Sequence, residues 1–247
     1  MKKLILSSVV ALSLATSSNA DFLGAEAGVA SWMPSLSGTI KGSGAADMDI
    51  DFQRDLGYED HEANVFFWAY FDHPIPLIPN IKVQQTNYNV SSTKATTVRF
   101  NNNSYTGNVD SELTLNQLDI IPYWRILDNW INLDLGFNLK TIDGNIKLKS
   151  PGASDTNQDF SITIPMAYAK ARFDMPFTGL SVEADMSYLG YGSNSFTDMK
   201  AGIVYQTSFG LGATAGLRKE NLTLDDIDST YANIDINGVY LGVFYHF

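Results

Sequence analysis

The sequence predicts an all-β chain that closes into a single antiparallel transmembrane β-barrel. About ten strands are expected, with eight or twelve as alternatives, joined by long extracellular loops and short periplasmic turns. Three observations predict this fold: apolar residues alternate with a period of two, aromatic residues cluster beside the tight connections, and no apolar run after residue 20 reaches the ~18 residues of a membrane-spanning helix. A backbone that crosses lipid must pair its polar groups internally, which a closed barrel does.

The first twenty residues have the pattern of a secretory signal peptide. Two lysines precede an apolar stretch at 4–15, and small residues lead to a cleavage site at Ala20. We expect residues 1–20 to be removed by cleavage after Ala20, which leaves residues 21–247 as the barrel domain. Such a peptide directs export, so the mature chain is expected to cross the periplasm to the bacterial outer membrane.

Alternation is clearest between residues 131 and 141, where five apolar side chains alternate with polar or small ones. In a strand these two sets lie on opposite faces, whereas in a helix they would scatter around the axis. Ile162 and Ile164 are out of phase with Ala167, and a bulge at Pro165 would switch the register. Ten segments have lengths and patterns suited to strands: 22–32, 63–72, 80–91, 111–124, 130–142, 160–174, 180–191, 197–208, 209–221 and 232–247.

The connections between these strands are of two kinds. Four are long and rich in Asp, Asn, Ser and Gly, at 33–62, 92–110, 143–159 and 222–231, and tight turns lie between them. Barrels place girdles of aromatic residues at the two membrane interfaces. Rings that flank the tight turns predict such a girdle: Phe71, Tyr123, Trp124, Trp130, Phe173, Phe177, Tyr205 and Phe209.

The composition excludes several functional classes. The 247 residues include 27 acidic and 16 basic side chains, and the formal charge of −11 argues against a nucleic acid as partner. The absence of cysteine excludes disulfides, thiol catalysis and a cysteine-linked lipid anchor. No cofactor is expected. The acidic loops would either meet anionic lipopolysaccharide through bridging Mg²⁺ or Ca²⁺ or project beyond it.

The end of the chain resembles the C-terminal sorting signal of outer-membrane barrel proteins. Apolar residues at alternate positions lead to a terminal aromatic residue: Val239, Leu241, Val243, Tyr245 and Phe247. By this resemblance, the barrel-assembly machinery would read the segment as an added strand. The expected partners are therefore that machinery and periplasmic chaperones during biogenesis, and outer-membrane lipid and lipopolysaccharide afterwards.

The chain also resembles an uncharacterised family of Gram-negative outer-membrane β-barrel proteins. The matching blocks are Gly24 to Trp32, Ile50-Asp51-Phe52 with Asp55-Leu56-Gly57 and, most distinctively, Asp72-His73-Pro74-Ile75-Pro76-Leu77-Ile78-Pro79-Asn80. Members of the family usually carry Glu where Asp72 stands. The resemblance implies a barrel of unknown role and carries over no catalytic or ligand residues.

Strands with a clear facing predict a lumen in which acidic and basic side chains balance. Across the hairpin at 175–179, one register places Arg172 opposite Glu183 and Lys170 opposite Asp185, and such pairing relieves the cost of buried charge. We therefore expect a plugged or very narrow lumen. The predicted lumen charge cluster is Lys170, Arg172, Glu183, Asp185, Asp134 and Lys140, beside the further inward residues Asp119, Asp198, Lys200 and Arg218.

Two weak candidates for chemistry lie in the predicted outside loops. Asp47, Asp49 and Asp51 alternate and would share a face that could bind a divalent cation, but Phe52 stands where the EF-hand pattern requires Gly. His61, in an acidic stretch, could activate water for hydrolysis. A solvated loop explains both patterns, and no catalytic residue is expected.

Three functions remain open from the sequence. The first is a non-enzymatic envelope protein that presents outside loops or lets small solutes through a narrow lumen. The second is an outer-membrane hydrolase with acidic residues and His61 at the extracellular rim. The third is a soluble exported β-barrel or sandwich that binds a ligand, which would require more polar outward faces than those of 130–142 and 209–221. A monomer is expected.

Overall fold

The computed structural model describes residues 24–42, 44, 46–58, 62–227 and 230–247, so the predicted signal peptide lies outside the described residues. Within these ranges, no helix is long and apolar enough to cross a membrane. The strands are β1 (Gly24–Lys41), β2 (Ile50–Asp51), β3 (Asn64–Asp72), β4 (Asn80–Phe100), β5 (Asn103–Asp128), β6 (Ile131–Lys149), β7 (Thr156–Asp174), β8 (Leu180–Tyr191), β9 (Asn194–Gln206), β10 (Leu211–Ile227) and β11 (Thr230–His246).

The ten long strands form one closed antiparallel barrel, as the sequence predicted. From β3 onward, each strand pairs with the next along the chain, and β3 pairs with β1. The barrel closes because β11 pairs with β1 in a continuous register from Glu26↔His246 to Lys41↔Tyr231. The additional two-residue strand β2 pairs with β1 at Thr39 and Ile40.

The two ends of the barrel differ. We call the end that holds Gly24 and Phe247 the proximal end, and the opposite one the distal end. The connections at the proximal end are 73–79, 129–130, 175–179 and 207–210. Towards the distal end, the strands continue into segments that the sequence predicts to be loops, and most of 92–110 and 143–159 is strand.

The hairpin of β4 and β5 shows why these segments form strands. Its register runs without interruption from Asn80↔Tyr123 to Phe100↔Asn103. The two-residue connection is Asn101 and Asn102, whose φ angles are 49° and 64°. A type I′ hairpin turn requires positive φ at both positions, and Asn tolerates this conformation better than most residues. A polar segment that looked like a loop is therefore the tip of a long hairpin.

The facing of apolar residues inverts along the barrel. In β5, Leu118 and Ile120 face outward, whereas Leu113 and Leu115 face inward. The same change falls between Leu139 and Ile142, Ile164 and Ala167, Leu217 and Leu222, and Val239 and Ile236. We call the part on the proximal side of this change the belt half, and the rest the distal half.

The inversion also accounts for the phase change that the sequence shows near Pro165. The predicted bulge there is wrong, because β6 and β7 pair without a register shift from Ile131↔Phe173 to Leu148↔Thr156. Ile162 and Ile164 face inward and Ala167 faces outward on one regular strand. The strand geometry is therefore regular throughout. The apolar side chains face outward in the belt half and inward in the distal half.

An apolar belt surrounds the belt half. Its side chains point outward and are exposed, among them Val29, Phe67, Ile81, Ile120, Leu135, Phe137, Val182, Ile203, Leu217 and Leu241. Rings at its proximal edge are exposed as predicted for a girdle: Phe71, Trp130, Phe173, Phe177, Tyr205 and Phe209. Tyr123 is an exception, since it is 1% exposed and faces the lumen.

The outer surface of the distal half is polar, and its interior is an apolar core. Exposed polar side chains on the outside include Thr93, Thr97, Asp110, Asp143, Ser161 and Asn237. The core includes Leu36, Val90, Val98, Tyr105, Val109, Leu113, Leu148 and Ile236. Residues 50–58 fold onto this core through Ile50, Phe52, Leu56 and Tyr58. The distal half is thus built like a water-soluble β-barrel.

Candidate functional site

The lumen of the belt half contains the candidate site, a network of ion pairs. The structure places all six residues of the predicted charge cluster on inward positions of β6, β7 and β8. Unpaired charge in such an interior would be costly, so the pairing decides whether the arrangement is stable. The network has a central group around Lys140 and a second group around Lys170.

Lys140 occupies the middle of the lumen. Its Nζ lies 3.0 Å from carboxylate oxygens of both Asp119 and Asp198, and its side chain has no exposed surface. It also donates a hydrogen bond of 2.8 Å to Oε1 of Gln117. Three oxygen acceptors therefore surround the ammonium, as a buried cation requires.

Arg218 lies beside this group and extends it across the barrel. Its Nη2 is 3.0 Å from Asp198 and 2.6 Å from Glu220, and its Nη1 donates to Thr86 at 2.9 Å. The guanidinium carbon lies 4.7 Å from the centroid of the Trp32 ring, a cation–π contact. The residues of this group are between 0% and 6% exposed, so they fill the lumen at this level.

The second group lies closer to the proximal end. The register places Lys170 opposite Asp185 and Arg172 opposite Glu183, which is the register considered in the sequence analysis. The ion pairs follow this register only in part. Lys170 Nζ lies 2.9 Å from Glu183, its diagonal neighbour on β8. Arg172 pairs with Asp174 on its own strand at 2.8 Å, and its Nη1 lies 4.0 Å from the predicted partner Glu183.

Asp185 is compensated by two lysines from other parts of the barrel. Lys82 Nζ lies 3.1 Å from Oδ2 of Asp185, and Lys200 Nζ lies 3.4 Å from the same atom. Lys200 also donates to Oε1 of Gln84 at 2.6 Å. Lys200 lies directly opposite Asp185 on the neighbouring strand β9. The contacts of Lys82 with Asp185 and of Lys200 with Gln84 cross the lumen, so the network ties β4 to β8 and β9.

The lumen is wider at its proximal mouth. Arg125 bridges Asp134 at 3.1 Å and Asp72 at 3.0 Å there. A cavity of about 180 Å³ opens between these residues and the end of β7, and a second cavity of about 30 Å³ lies deeper, against Trp68 and Phe66. Water can enter the proximal mouth, whereas the level of Lys140 is closed.

Several lumen residues were not identified from the sequence. Lys82 lies between the outward residues Ile81 and Val83, so the alternation rule would have assigned it inward. Arg125 follows a predicted strand end and lies beside a register shift between β5 and β6, which alternation does not describe. Glu220 lies near the middle of β10, where the outward face becomes polar and the alternation of apolar and polar residues is less distinct.

The distal half closes the other end of the lumen. Phe52 N donates to the carbonyl of Gly38 at 3.0 Å, and Lys94 Nζ donates to the carbonyl of Gln53 at 3.1 Å. Burial raises the pKa of Tyr58 to about 12, since its hydroxyl lies where the charged form is poorly solvated. The segment 50–58 is therefore an apolar cap fixed to β1 and β4.

The acidic residues considered for a metal do not form a site. Within the described ranges, no three His, Asp or Glu side chains are placed to hold a metal ion. Asp47 instead accepts backbone N–H groups of Gly44, Asn101 and Asn102, and so joins its loop to the tip of the β4–β5 hairpin. The carboxylate of Asp51 accepts the N–H groups of residues 53 and 54.

Asp49, the third member of that candidate set, is exposed. The candidate hydrolase residue His61 lies outside the described residues. His73 has a structural role in its turn, where Nδ1 accepts the N–H of Ile75 and Nε2 lies 3.1 Å from the carbonyl of Pro79. His246 lies at the proximal mouth, 3.9 Å from Glu26.

The residues of the sorting-signal pattern lie on the strand that closes the barrel. Val239, Leu241, Val243 and Tyr245 face outward on β11, in the apolar belt. The N–H of Phe247 donates to the carbonyl of Ala25 at 2.7 Å, so the last residue completes the seam with β1.

Comparison with known proteins identifies the fold. No protein-family model and no curated protein matches the chain. Its structure is similar to that of the outer membrane protease OmpT from Escherichia coli, with a TM-score of 0.57 and 10% identity over 91% of this chain and 97% of that one. The fold is that of a bacterial outer-membrane β-barrel.

Two other solved structures match with lower scores. The translocator domain of the autotransporter NalP from Neisseria meningitidis has a TM-score of 0.45 and 11% identity, over 93% of this chain and 90% of that one. The Ail protein of Yersinia pestis, solved in complex with a heparin analogue, has a TM-score of 0.39 and 12% identity, over 90% of this chain and 99% of that one.

Proposed function

We propose that this protein is a non-conducting, non-enzymatic barrel of the bacterial outer membrane that holds a folded β-structure outside the cell. The observation that carries the proposal is the inversion of polarity between the belt half and the distal half. An apolar outer face suits lipid, and a polar outer face over an apolar core suits water.

The dimensions support this arrangement. In β6 the outward apolar residues run from Ile131 to Leu139, which is nine residues and matches the ~9–11 tilted residues of a bilayer crossing. The strand then continues to Lys149 with polar residues outside. A soluble exported protein would leave this apolar belt in water, whereas monomeric soluble proteins rarely expose apolar patches larger than a few hundred Å².

The filled lumen supports the absence of conduction. The Lys140 and Arg218 group closes the middle, and the cap at 50–58 covers the distal side. In planar bilayers we expect no steps on the order of tens to hundreds of picosiemens, the conductance of an open barrel lumen. Such steps from the purified protein would show that the lumen is open, and solute passage would then be the better-supported function.

The orientation is tested by labelling single cysteines, since the chain has none of its own. Thr97→Cys lies on the outer face of the distal half, and Phe177→Cys lies on a proximal turn. In intact cells, an impermeant maleimide should label Thr97→Cys at once and Phe177→Cys only after the outer membrane is permeabilised. The reverse order, or equal labelling with the protein in the soluble periplasmic fraction, would contradict the proposal.

A further inference from the structure

The wall of the distal half has a gap beside β7. Below this gap, β7 pairs with β8 from Ala167↔Tyr188 to Asp174↔Ser181. β8 turns into β9 at Tyr191↔Asn194, and the gap lies on the distal side of this turn, so no described residue pairs with this edge of β7 from Thr156 to Met166. We call these eleven residues, which pair with β6 alone, the open edge of β7.

The open edge lies in the part of the barrel that faces water. The residues of the open edge nearest the proximal end are level with Leu139, the last outward apolar residue of β6, because Leu139 pairs with Pro165. In a strand paired on one side only, alternate N–H and C=O groups point to the free side. Unpaired backbone groups are a template for another strand, and proteins commonly protect them.

The open edge has little of the usual protection. Its single proline is Pro165, at the lower end, and its single charged residue is Asp159. The inward side chains Phe160 and Ile162 are 37% and 50% exposed, because the short β8–β9 hairpin leaves them uncovered. An apolar strip therefore runs along the inner side of the edge, next to the buried Ile164.

The charges around the gap are mainly acidic, because Lys147 and Lys149 at the distal end of β6 are each already paired with a carboxylate, of Glu112 and Asp155. Asp143 and Asp159 are exposed on β6 and β7. Asp225 and Asp226 are exposed on the other side of the gap, at the distal end of β10. Asp225 is placed beside the gap by its N–H, which donates to Oδ1 of Asn194 on the hairpin below. A partner with basic residues would be attracted to such an acidic rim.

We propose that the open edge of β7 binds an extended, basic segment of a partner protein by strand addition. The added strand would carry apolar side chains inward, towards Phe160 and Ile162, and basic or polar ones outward, near Asp159. Main-chain hydrogen bonds supply affinity in this mode of binding, and alternate side chains supply specificity. The inference rests on the proposed display of the distal half outside the cell.

A second copy in the same membrane does not fit this edge. The barrel axes of two such copies point in the same direction, and strands tilt by roughly 35–45°. Two facing β7 strands related by a two-fold axis along the membrane normal would cross at about twice that tilt, so they cannot form a ladder. This leaves a separate extended chain as the occupant.

The test uses the full chain refolded in detergent micelles, with amide hydrogen exchange of 156–166 as the readout. The probe is a ten-residue peptide that alternates Val and Lys, and its controls are a Val–Glu peptide and a Val–Lys peptide with every second nitrogen methylated. The Val–Lys peptide should slow exchange along the edge and bind about tenfold more tightly than either control. Equal effects of the three peptides, or none, would overturn the proposal.

Variants then locate the binding to this edge. Asp159→Lys should weaken the binding of the Val–Lys peptide several-fold and strengthen the binding of the Val–Glu peptide. Neighbouring residues point their N–H groups to opposite sides of a strand, so one of Ser161→Pro and Ile162→Pro loses only a free N–H. The variant that still folds, as judged by heat-dependent gel mobility, should no longer bind the Val–Lys peptide.

Further outcomes separate this inference from the proposed function. If the alternate amides of 156–166 that point away from β6 are already as protected as the belt half without any peptide, the edge is covered by the protein itself or by a second copy, and the inference is refuted. That result would leave the cysteine labelling and the absence of conduction untouched. If the cysteines are labelled in the reverse order but the Val–Lys peptide still binds, only the proposed display of the distal half outside the cell would be refuted.

Discussion

Lys140 and Asp119 form an ion pair of 3.0 Å in which the side chains are 0% and 1% exposed. The pair joins β6 to β5 in the middle of the lumen, and Asp198 on β9 approaches the same ammonium at 3.0 Å. Two carboxylates thus depend on one lysine for compensation, although Arg218 shares Asp198.

Lys140→Met is expected to lower the free energy of unfolding by about 3–5 kcal/mol, because it leaves the buried Asp119 carboxylate without a cation and Asp198 with Arg218 alone. The measurement is denaturant unfolding of the refolded protein in lipid or detergent. The matched control is Lys149→Met, whose pair with Asp155 is more than half exposed and should contribute about 0–1 kcal/mol. Equal losses in the two variants would contradict the role given to the network.

Leu135→Arg is expected to lower stability by about 2–4 kcal/mol, the cost of a charge near the middle of the bilayer on the lipid face of a barrel. Leu135 is the central one of the five outward apolar residues of β6. Thr97→Arg, on the outer face of the distal half, should change stability little. The comparison requires refolding into lipid vesicles, and similar effects of both variants would show that the belt is misplaced.

Three glycines lie directly opposite aromatic rings on the neighbouring strand. Gly28 lies opposite Trp68, Gly144 opposite Phe160 and Gly212 opposite Phe244, and a Cβ at each glycine would overlap the ring. Gly212→Ala should therefore cost about 1–3 kcal/mol through overpacking. In the background of Phe244→Leu the same change should cost less, and a double-mutant cycle of unfolding free energies with no coupling would refute the explanation.

The cap at 50–58 should loosen in acid. Arg54 hydrogen-bonds Asp55 and holds the pKa of that carboxyl below its ordinary value. The same carboxylate accepts the N–H of Asp51 at 2.9 Å. Because the folded pKa is lowered, the stabilisation is complete above the ordinary Asp pKa of about 3.9 and is lost as the pH falls through the lower folded value.

Amide hydrogen exchange of 50–58, corrected for the intrinsic rate at each pH, measures this effect. We expect the protection of the cap to decline below about pH 4, and Asp55→Asn to remove most of that pH dependence. An unchanged pH profile in Asp55→Asn would assign the acid response to other groups.

Much of the architecture follows from the sequence, because lipid imposes a strict period on the belt half. The alternation at 131–141 placed a strand and its two faces correctly, and the same holds at 209–221. Alternation failed where both faces are apolar. At 66–71, Phe66, Trp68 and Tyr70 face the lumen, and Phe67, Ala69 and Phe71 face outward, a choice that only the pairing with β1 and β4 fixes.

The ion pairs were harder to predict than the inward positions. Facing is a local property of a strand, whereas partners such as Lys82 and Asp185 come from strands a hundred residues apart. The distal half was largely missed as strand for a different reason. Its outer face is polar and its turns, such as Asn101-Asn102, have loop-like composition, so its sequence shows the pattern of a soluble barrel with the opposite phase.

The long β4–β5 hairpin sets an order in which the barrel can assemble. Only two residues separate its strands at the tip, so the loss of chain entropy on closing the first contacts is small, and each further pair extends a register already fixed. The seam between β1 and β11 instead joins residues at opposite ends of the chain. The hairpin can therefore nucleate early, while the barrel wall remains open along the seam until last.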